Sequence, residues 1–267
     1  HALLQWEDFA KHKAFKLLER YHDRILSFND DIQGTGSVSL AALISAMKIK
    51  KQRFNDQRFV VVGMGQAGTG IASNIRRMLI DEGASEEEAQ SKLFAFDVPG
   101  LLVDDTPGLT EPQKLYIQKR SNLAKWKLEF PGTITLMDVV RNARPSVLIG
   151  VTAANGLFNA EVLGQMARND ERPIIFALSN PTSKTECTPE EVAVATKGKG
   201  LVATGSPFTP FMYEGKEFVT SQCNNMFIFP GVGLGALVSK ASKITTKMFL
   251  QASKALSEFV TDEQRAK

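Results

Sequence analysis

Runs of consecutive apolar residues punctuate the chain at RFVVV (58–62), KLFAFD (92–97), SVLIGV (146–151), PIIFAL (173–178) and LVATGS (201–206). None alternates apolar with polar. Each therefore predicts a short strand buried on both faces, as in a parallel sheet. Between them the apolar spacing changes to a helical period, in IASNIRRML (71–79), TLMDVVRN (135–142) and NAEVLGQMARND (159–170). Strands alternating with helices imply βαβ crossovers and a doubly wound sheet. Ahead of this pattern, residues 6–22 predict an amphipathic helix with Phe9, Phe15, Leu17, Leu18 and Tyr21 facing inward. ILSF (25–28) is a short apolar run, and the small apolar residues of 34–47 predict a buried helix. Residues 100–132 form a long connection, the charged stretch 81–92 a solvated surface, and 234–259 one or two closing helices. The expected organisation is a helical segment over 1–50 and an α/β domain over 51–267, the latter with closing C-terminal helices.

Composition narrows the function without choosing it. Hydrophobic residues make up 43% and charged residues 23% of the 267, enough apolar material for a sizeable core. A net charge of +3 without a basic block argues against nucleic acid and against an anionic membrane surface as partners. No apolar run reaches the roughly 18 residues of a membrane span. Two cysteines, Cys187 and Cys223, make neither a disulfide framework nor a metal motif, so a reducing, cytoplasmic setting is expected. The first residues lack the features of a signal peptide, and the chain opens without Met, as a piece of a longer protein would.

The first chemistry lies after FVVV. Gly63, Gly65 and Gly68 form G-x-G-x-x-G between a strand and a helix, in GMGQAGTGIA. In that setting the first glycine permits the tight turn and the second lets backbone approach a pyrophosphate. The third lets helix pack on strand, and the helix N-terminus faces the phosphate charge. The candidate cofactor-binding residues are Gly63, Gly65, Gln66, Ala67 and Gly68, on an α/β fold with a doubly wound, mostly parallel Rossmann-type sheet and flanking helices. Asp97 ends the next strand, later than the usual offset because the 81–92 insertion intervenes. A carboxylate there accepts ribose hydroxyls and repels a 2′-phosphate, so NAD is expected over NADP. Lys114 is a cation that could fold back and weaken that preference. The blander reading of Asp97 is a strand-end turn residue.

Two acidic pairs remain, Glu7-Asp8 and Asp30-Asp31. Hard divalent cations take oxygen ligands, and Mg²⁺ keeps places open for water and substrate. Converging carboxylates could hold Mn²⁺ or Mg²⁺. Each pair also has a local reading, as an acid in a first helical turn or as a helix cap.

WEDFAKHKAFKLLERY, FNDDIQGTG, GMGQAGTGIA, LSNPTSKTECTPEE and QCNNMFIFPGVGLG occur in this order. Together they resemble the nucleotide-binding, C-terminal part of the malic enzyme family, over essentially the whole chain. The resemblance implies that Glu7, Asp8 and Asp31 ligate Mn²⁺ or Mg²⁺ and that Asp30 lies near the site. It implies that Asn180 and Asn225 contact substrate and the nicotinamide ribose, with Asn224 beside them at the cofactor. An amide both donates and accepts, so it can fix a hydroxy acid or a cofactor edge without adding charge. The bland reading of these asparagines is turn formation. The implied reaction is oxidative decarboxylation of L-malate to pyruvate and CO₂ by a homo-oligomer. The Lys/Tyr pair and the substrate-binding Arg of the family match nothing here; they belong to an N-terminal catalytic domain absent from this sequence. Malolactic enzyme, a relative that makes lactate, is the near alternative. A non-catalytic NAD-binding module and a plain 2-hydroxy acid dehydrogenase are the others; the latter leaves the acidic pairs unexplained.

Overall fold

The computed structural model describes residues 2–261, apart from the side chains of Lys11 and His12. In chain order the elements begin with β1 (Leu4–Trp6), α1 (Lys11–Tyr21), β2 (Ser27–Asn29) and α2 (Thr35–Lys50). There follow β3 (Phe59–Val62), α3 (Gln66–Asp81), α4 (Glu86–Lys92), β4 (Leu93–Asp97), β5 (Gly100–Leu101) and α5 (Glu111–Lys114). Next come α6 (Leu136–Ala143), β6 (Val147–Gly150), α7 (Ala160–Asn169), β7 (Ile174–Ala177) and α8 (Pro189–Thr196). The chain continues through β8 (Leu201–Thr204), β9 (Phe211–Tyr213), β10 (Lys216–Phe218), β11 (Ser221–Gln222), α9 (Phe229–Val238) and α10 (Thr246–Glu258). These fall into two compact units. One comprises residues 1–51, 65–75 and 223–267, the other 52–64 and 76–222.

The second unit is the sheet. Its order is β11-β8-β7-β6-β3-β4-β5, parallel throughout except for β5 against β4. All the apolar runs expected to be strands become its members. The central strands β3, β6 and β7 are buried on both faces, with Phe59, Val60, Val61, Val147, Leu148 and Ile149 at 0% exposure. This is why the runs are continuous rather than alternating. On one face α6, α7 and α8 contribute Val139, Val140, Val162, Met166 and Val192 to a core with Val60, Leu148 and Ile175. Helix α6 starts where Thr135 and Asp138 form a reciprocal cap, which satisfies backbone donors the helix cannot. After β3 the chain steps to β4 on one side; β6, β7 and β8 then add on the other. The reversal between β3 and β6 is the switch point at which open α/β sheets bind ligands, outside the carboxyl ends of the strands.

In the first unit α2 is buried on nearly all sides, through Val38, Leu40, Leu43 and Met47. It packs on α10, where Ser253 Oγ donates to Ser37 O at 2.8 Å. The start of α3 approaches closely: a Cβ on Gly70 would sit 1.9 Å from Ile32 O, and one on Gly36 2.6 Å from Gly70 O. The N-terminal segment corrects one expectation. Residues 4–6 form a strand that pairs in parallel with β2, and the helix starts only at Lys11. Among the described side chains of α1 the fully buried one is Ala14, while Phe9 precedes the helix and is 36% exposed. A three-residue strand is too short to show a period, and its partner lies more than twenty residues away.

Candidate cofactor and metal sites

At the end of β3, Gly63 has φ +96°, a conformation side chains resist, and a Cβ there would meet Val151 O at 2.7 Å. Its N–H donates to Phe96 O at 2.8 Å, which fastens the turn to β4. Gly65 is the opposite case: a Cβ there would meet nothing within 4 Å. The open space over Gly65 is what a cradle for a pyrophosphate requires. Gln66, Ala67 and Gly68 form the first turn of α3, whose leading N–H groups have no partner within the helix. Gln66 Nε2 donates to Phe9 O at 2.6 Å.

Asp97 stands at the end of β4. Its Oδ1 accepts from Val98 N and its Oδ2 from Gln113 Nε2, both at 2.9 Å. Gln113 Nε2 also donates to Met64 O at 3.2 Å. One buried amide thus ties the expected ribose carboxylate to the glycine turn. Gln113 was missed from the sequence, although Thr110-x-x-Gln113 is a capping-box pattern and its members do cap α5. Lys114 does not turn back; it pairs with Glu111 at 2.5 Å, on the surface.

Asn180 follows β7, and its Oδ1 accepts from Ser206 Oγ at 2.7 Å. Ser206, unremarkable in the sequence, is therefore the residue that orients this amide and leaves its N–H groups for another partner. Gly205 makes the approach possible, since a Cβ there would fall 2.1 Å from Leu178 O.

The acidic residues gather in the first unit. Asp30 and Asp31 open a π-helical turn, Asp30–Gly34, capped by Asn29 Oδ1 accepting from Ile32 N. Asp30 is 0% exposed. Its Oδ2 accepts from Asn225 Nδ2 at 2.7 Å, and its Oδ1 is buried without a partner. Gly34 leaves the room, because a Cβ there would lie 1.9 Å from that Oδ1. Burial first, then the charges of Glu7 and Asp31, push the Asp30 carboxyl up to about 7. Asp31 is raised too, chiefly by burial, although the Asp8 backbone N–H donates to its Oδ2 at 3.0 Å and opposes the shift. Asp8 has φ +58°, a left-handed conformation that aspartate tolerates better than most residues. Glu7 accepts from Gln5 Nε2 at 2.9 Å. Asn224 Oδ1 accepts from Met226 N, capping the short turn that carries Asn225.

Asn225 and Asp30 are thus in direct contact, the charges of Glu7 and Asp31 act on Asp30, and those of Glu7 and Asp8 act on Asp31. Among the described residues, no three carboxyl, imidazole or thiol groups already stand close enough together to hold a metal ion. The oxygen-rich donor set and the orphaned buried Oδ1 nevertheless fit a hard divalent cation, which would relieve the mutual repulsion. Cys187 and Cys223 are free and buried. Burial pushes the Cys223 thiol up to about 12 and raises that of Cys187 as well, so neither is a nucleophile.

The model of the malic enzyme NAD-binding domain family matches residues 32–267, starting one residue after Asp31. The NAD-dependent malic enzyme of Vibrio campbellii is 47% identical over 256 residues, which is 96% of this chain and 45% of that protein. The NAD-dependent malic enzyme of Edwardsiella ictaluri is 49% identical over the same shares. The chain therefore spans about half the length of these relatives. Among solved structures, the malic enzyme of Entamoeba histolytica superposes with a TM-score of 0.75 at 28% identity, covering 97% of this chain and 48% of that one. The malic enzyme of Pyrococcus horikoshii gives 0.74 at 26% identity, covering 97% and 54%. With the parallel sheet, the glycine turn at its switch point and a match across most of its length, this chain belongs to the malic enzyme family as its NAD-binding domain.

Proposed function

We propose that this chain is the NAD-binding part of a protein that oxidises and decarboxylates L-malate, giving pyruvate, CO₂ and NADH with the help of Mn²⁺ or Mg²⁺. The observation that carries the reading is 47% identity to proteins named NAD-dependent malic enzyme across 96% of the chain. The named site residues support it. Gly63 and Gly65 shape the pyrophosphate turn, with Gln66, Ala67 and Gly68 offering N–H groups at the start of α3. Asp97, held by Gln113, binds the ribose hydroxyls. Asn180 and Asn225 orient substrate and nicotinamide ribose, with Asn224 shaping the turn.

Glu7, Asp8 and Asp31 would hold the divalent ion. Bound there, the ion supplies Lewis-acid polarisation of the substrate's C2 oxygen and stabilisation of the charge that develops as CO₂ leaves. Asp30 keeps Asn225 in place through its 2.7 Å bond. Bound at the glycine turn, NAD⁺ would supply the acceptor for the C2 hydride, while the hydroxyl proton would leave to a base and the electron pair freed from the C–CO₂ bond would end in a C–H bond of pyruvate. The acid/base groups for these proton transfers lie in the rest of the complete protein, so residues 1–267 alone have no measurable malate oxidation. In this reading the complete protein is a homo-oligomer working in a reducing, cytoplasmic compartment.

Product analysis of the complete protein with malate, Mn²⁺ and NAD⁺ tests the reading. Pyruvate with equimolar NADH is expected. Lactate without net NADH would replace it with the malolactic reaction.

A further inference from the structure

A charged residue that the reaction does not use is buried at the carboxyl edge of the sheet. Glu186 is 0% exposed. Its Oε1 accepts from Thr152 N at 2.7 Å, from Thr152 Oγ1 at 2.8 Å and from Ser179 Oγ, and its Oε2 faces Ser179 N at 3.4 Å. Thr152 lies two residues beyond β6 and Ser179 two beyond β7. One carboxylate thus gathers the loops that leave adjacent parallel strands. The same Ser179 Oγ accepts from Ala153 N at 2.8 Å, where Ala153 has φ +56°, a conformation an alanine adopts only when held. Gly150, the last residue of β6, lets the glutamate pass: a Cβ there would stand 2.6 Å from Glu186 Cγ.

These contacts are continuous with the cofactor edge. On one side, Val151 O abuts Gly63 of the glycine turn. On the other, Ser179 precedes Asn180, whose amide is oriented by Ser206. The network therefore runs along the carboxyl ends of β6 and β7, across the switch point from Asp97 on β4. A dinucleotide lying over that switch point has its adenosine half on the Asp97 side and its nicotinamide half on this one.

We propose that Glu186 is a positioning residue that sets the nicotinamide-side wall of the cofactor crevice, holding the Thr152–Ala153 and Ser179–Asn180 loops in the register NAD requires. Glu186 is 0% exposed and surrounded by donors from the two loops, so it acts through those loops. The assignment rests on NAD lying across this edge as the proposed function has it.

The test separates the two halves of the cofactor. In the complete protein, Kd for NAD⁺ and for ADP is measured by calorimetry for wild type, Glu186→Gln, Ser179→Ala and the double variant. Glu186→Gln keeps the size but turns an acceptor into a donor facing Ser179 N. It should weaken NAD⁺ about tenfold, the scale of one lost hydrogen bond to a charged group, and leave ADP within about twofold. Ser179→Ala should act in the same direction, and the double variant should be no weaker than Glu186→Gln, since both break one network. NAD⁺ affinity unchanged in both single variants, or ADP weakened as much as NAD⁺, would overturn the assignment. If Glu186→Gln does not fold, Ser179→Ala gives the same split. Wild type that bound ADP and not NAD⁺, or neither, would overturn the cofactor reading itself, and the assignment with it.

Discussion

Asp97 ends a short parallel strand and Asp30 directly follows one, and their surroundings are opposite. Asp97 receives a donor on each oxygen, one from the next backbone N–H and one from Gln113. Asp30, at 0% exposure, has a donor on one oxygen, nothing on the other, and the charges of Glu7 and Asp31 nearby. The difference separates two kinds of polar site. At Asp97 the chain supplies the partners itself, and what remains open is acceptor capacity suited to neutral hydroxyls. At Asp30 and Asp31 the chain gathers negative charge and supplies only an amide and a backbone N–H against it. A site left in that state is stabilised by a proton or by a cation, and the proposed function chooses the cation.

The most severe way to break this comparison is to remove charge from the acidic region. Glu7→Gln with Asp31→Asn keeps shape and carbonyl acceptors but lowers the formal charge available to a divalent ion from −3 to −1 across Glu7, Asp8 and Asp31. The complete protein should lose more than about a hundredfold in malate turnover, because changes even one shell further out cost ten- to a hundredfold in metal affinity. NAD⁺ binding should change little. Turnover measured against Mn²⁺ concentration decides it: an unaltered Mn²⁺ dependence would remove these residues from the metal site.

The glycines sharpen the contrast at smaller cost. Gly65→Val places a side chain where the structure has none within 4 Å, so thermal stability should hold while NAD⁺ affinity falls by tenfold or more. Gly34→Ala drives a methyl to 1.9 Å from Asp30 Oδ1, so it should destabilise by about 1–3 kcal/mol, the scale of overpacking. Melting temperature and NAD⁺ titration, read together, should move in opposite patterns for the two variants. A Gly65→Val protein that bound NAD⁺ normally would show that the open space is not the pyrophosphate cradle.

How much of this was readable in advance depends on where the partners come from in sequence. The buried strands were legible because a strand covered on both faces is apolar at every position, whatever its neighbours. Gly63 was legible because its φ is a local demand. Gln113 was not, since its partner Asp97 lies 16 residues away across an irregular loop. Glu186 was not either, because a glutamate in a loop is expected in water and only the folded edge brings four donor contacts to it. The β9–β10 hairpin was missed for a different reason. Glu214 and Gly215 both have positive φ, at 48° and 77°, and glutamate is a rare choice where asparagine or aspartate is usual. Among the acidic residues, the sequence showed which ones occur but not that Asn225 would lie against Asp30.

A narrower probe asks whether Asp97 acts as a selector. If its carboxylate faces the ribose, NAD⁺ should bind at least about tenfold more tightly than NADP⁺, one close like-charge contact being worth a kcal/mol or more. Asp97→Asn should narrow that gap mainly by improving NADP⁺. Calorimetric titration of both dinucleotides gives the answer, and equal affinities in the wild type would remove Asp97 from this role.

The gentlest test leaves the sequence nearly alone and changes pH. Asp30 sits at about 7 in the fold against 3.8 for a free aspartate, so between those values the folded chain binds a proton that the unfolded chain has released. Stability then falls as pH rises. The contribution is fully present below about 3.8, declines through the interval, and is gone once pH has passed the folded value. Asp31, also raised, works in the same direction. Urea denaturation of the metal-free chain between pH 5 and 7 should therefore show a loss of up to about 1.4 kcal/mol per pH unit from one such proton. Asp30→Asn should remove most of that slope, because an amide does not titrate and can still keep company with Asn225. Saturating Mn²⁺ should flatten it in the wild type by favouring the ionised carboxylates. A metal-free chain whose stability did not decline over this interval, or declined equally with Asn at position 30, would mean that Asp30 is not the strained partner in the comparison.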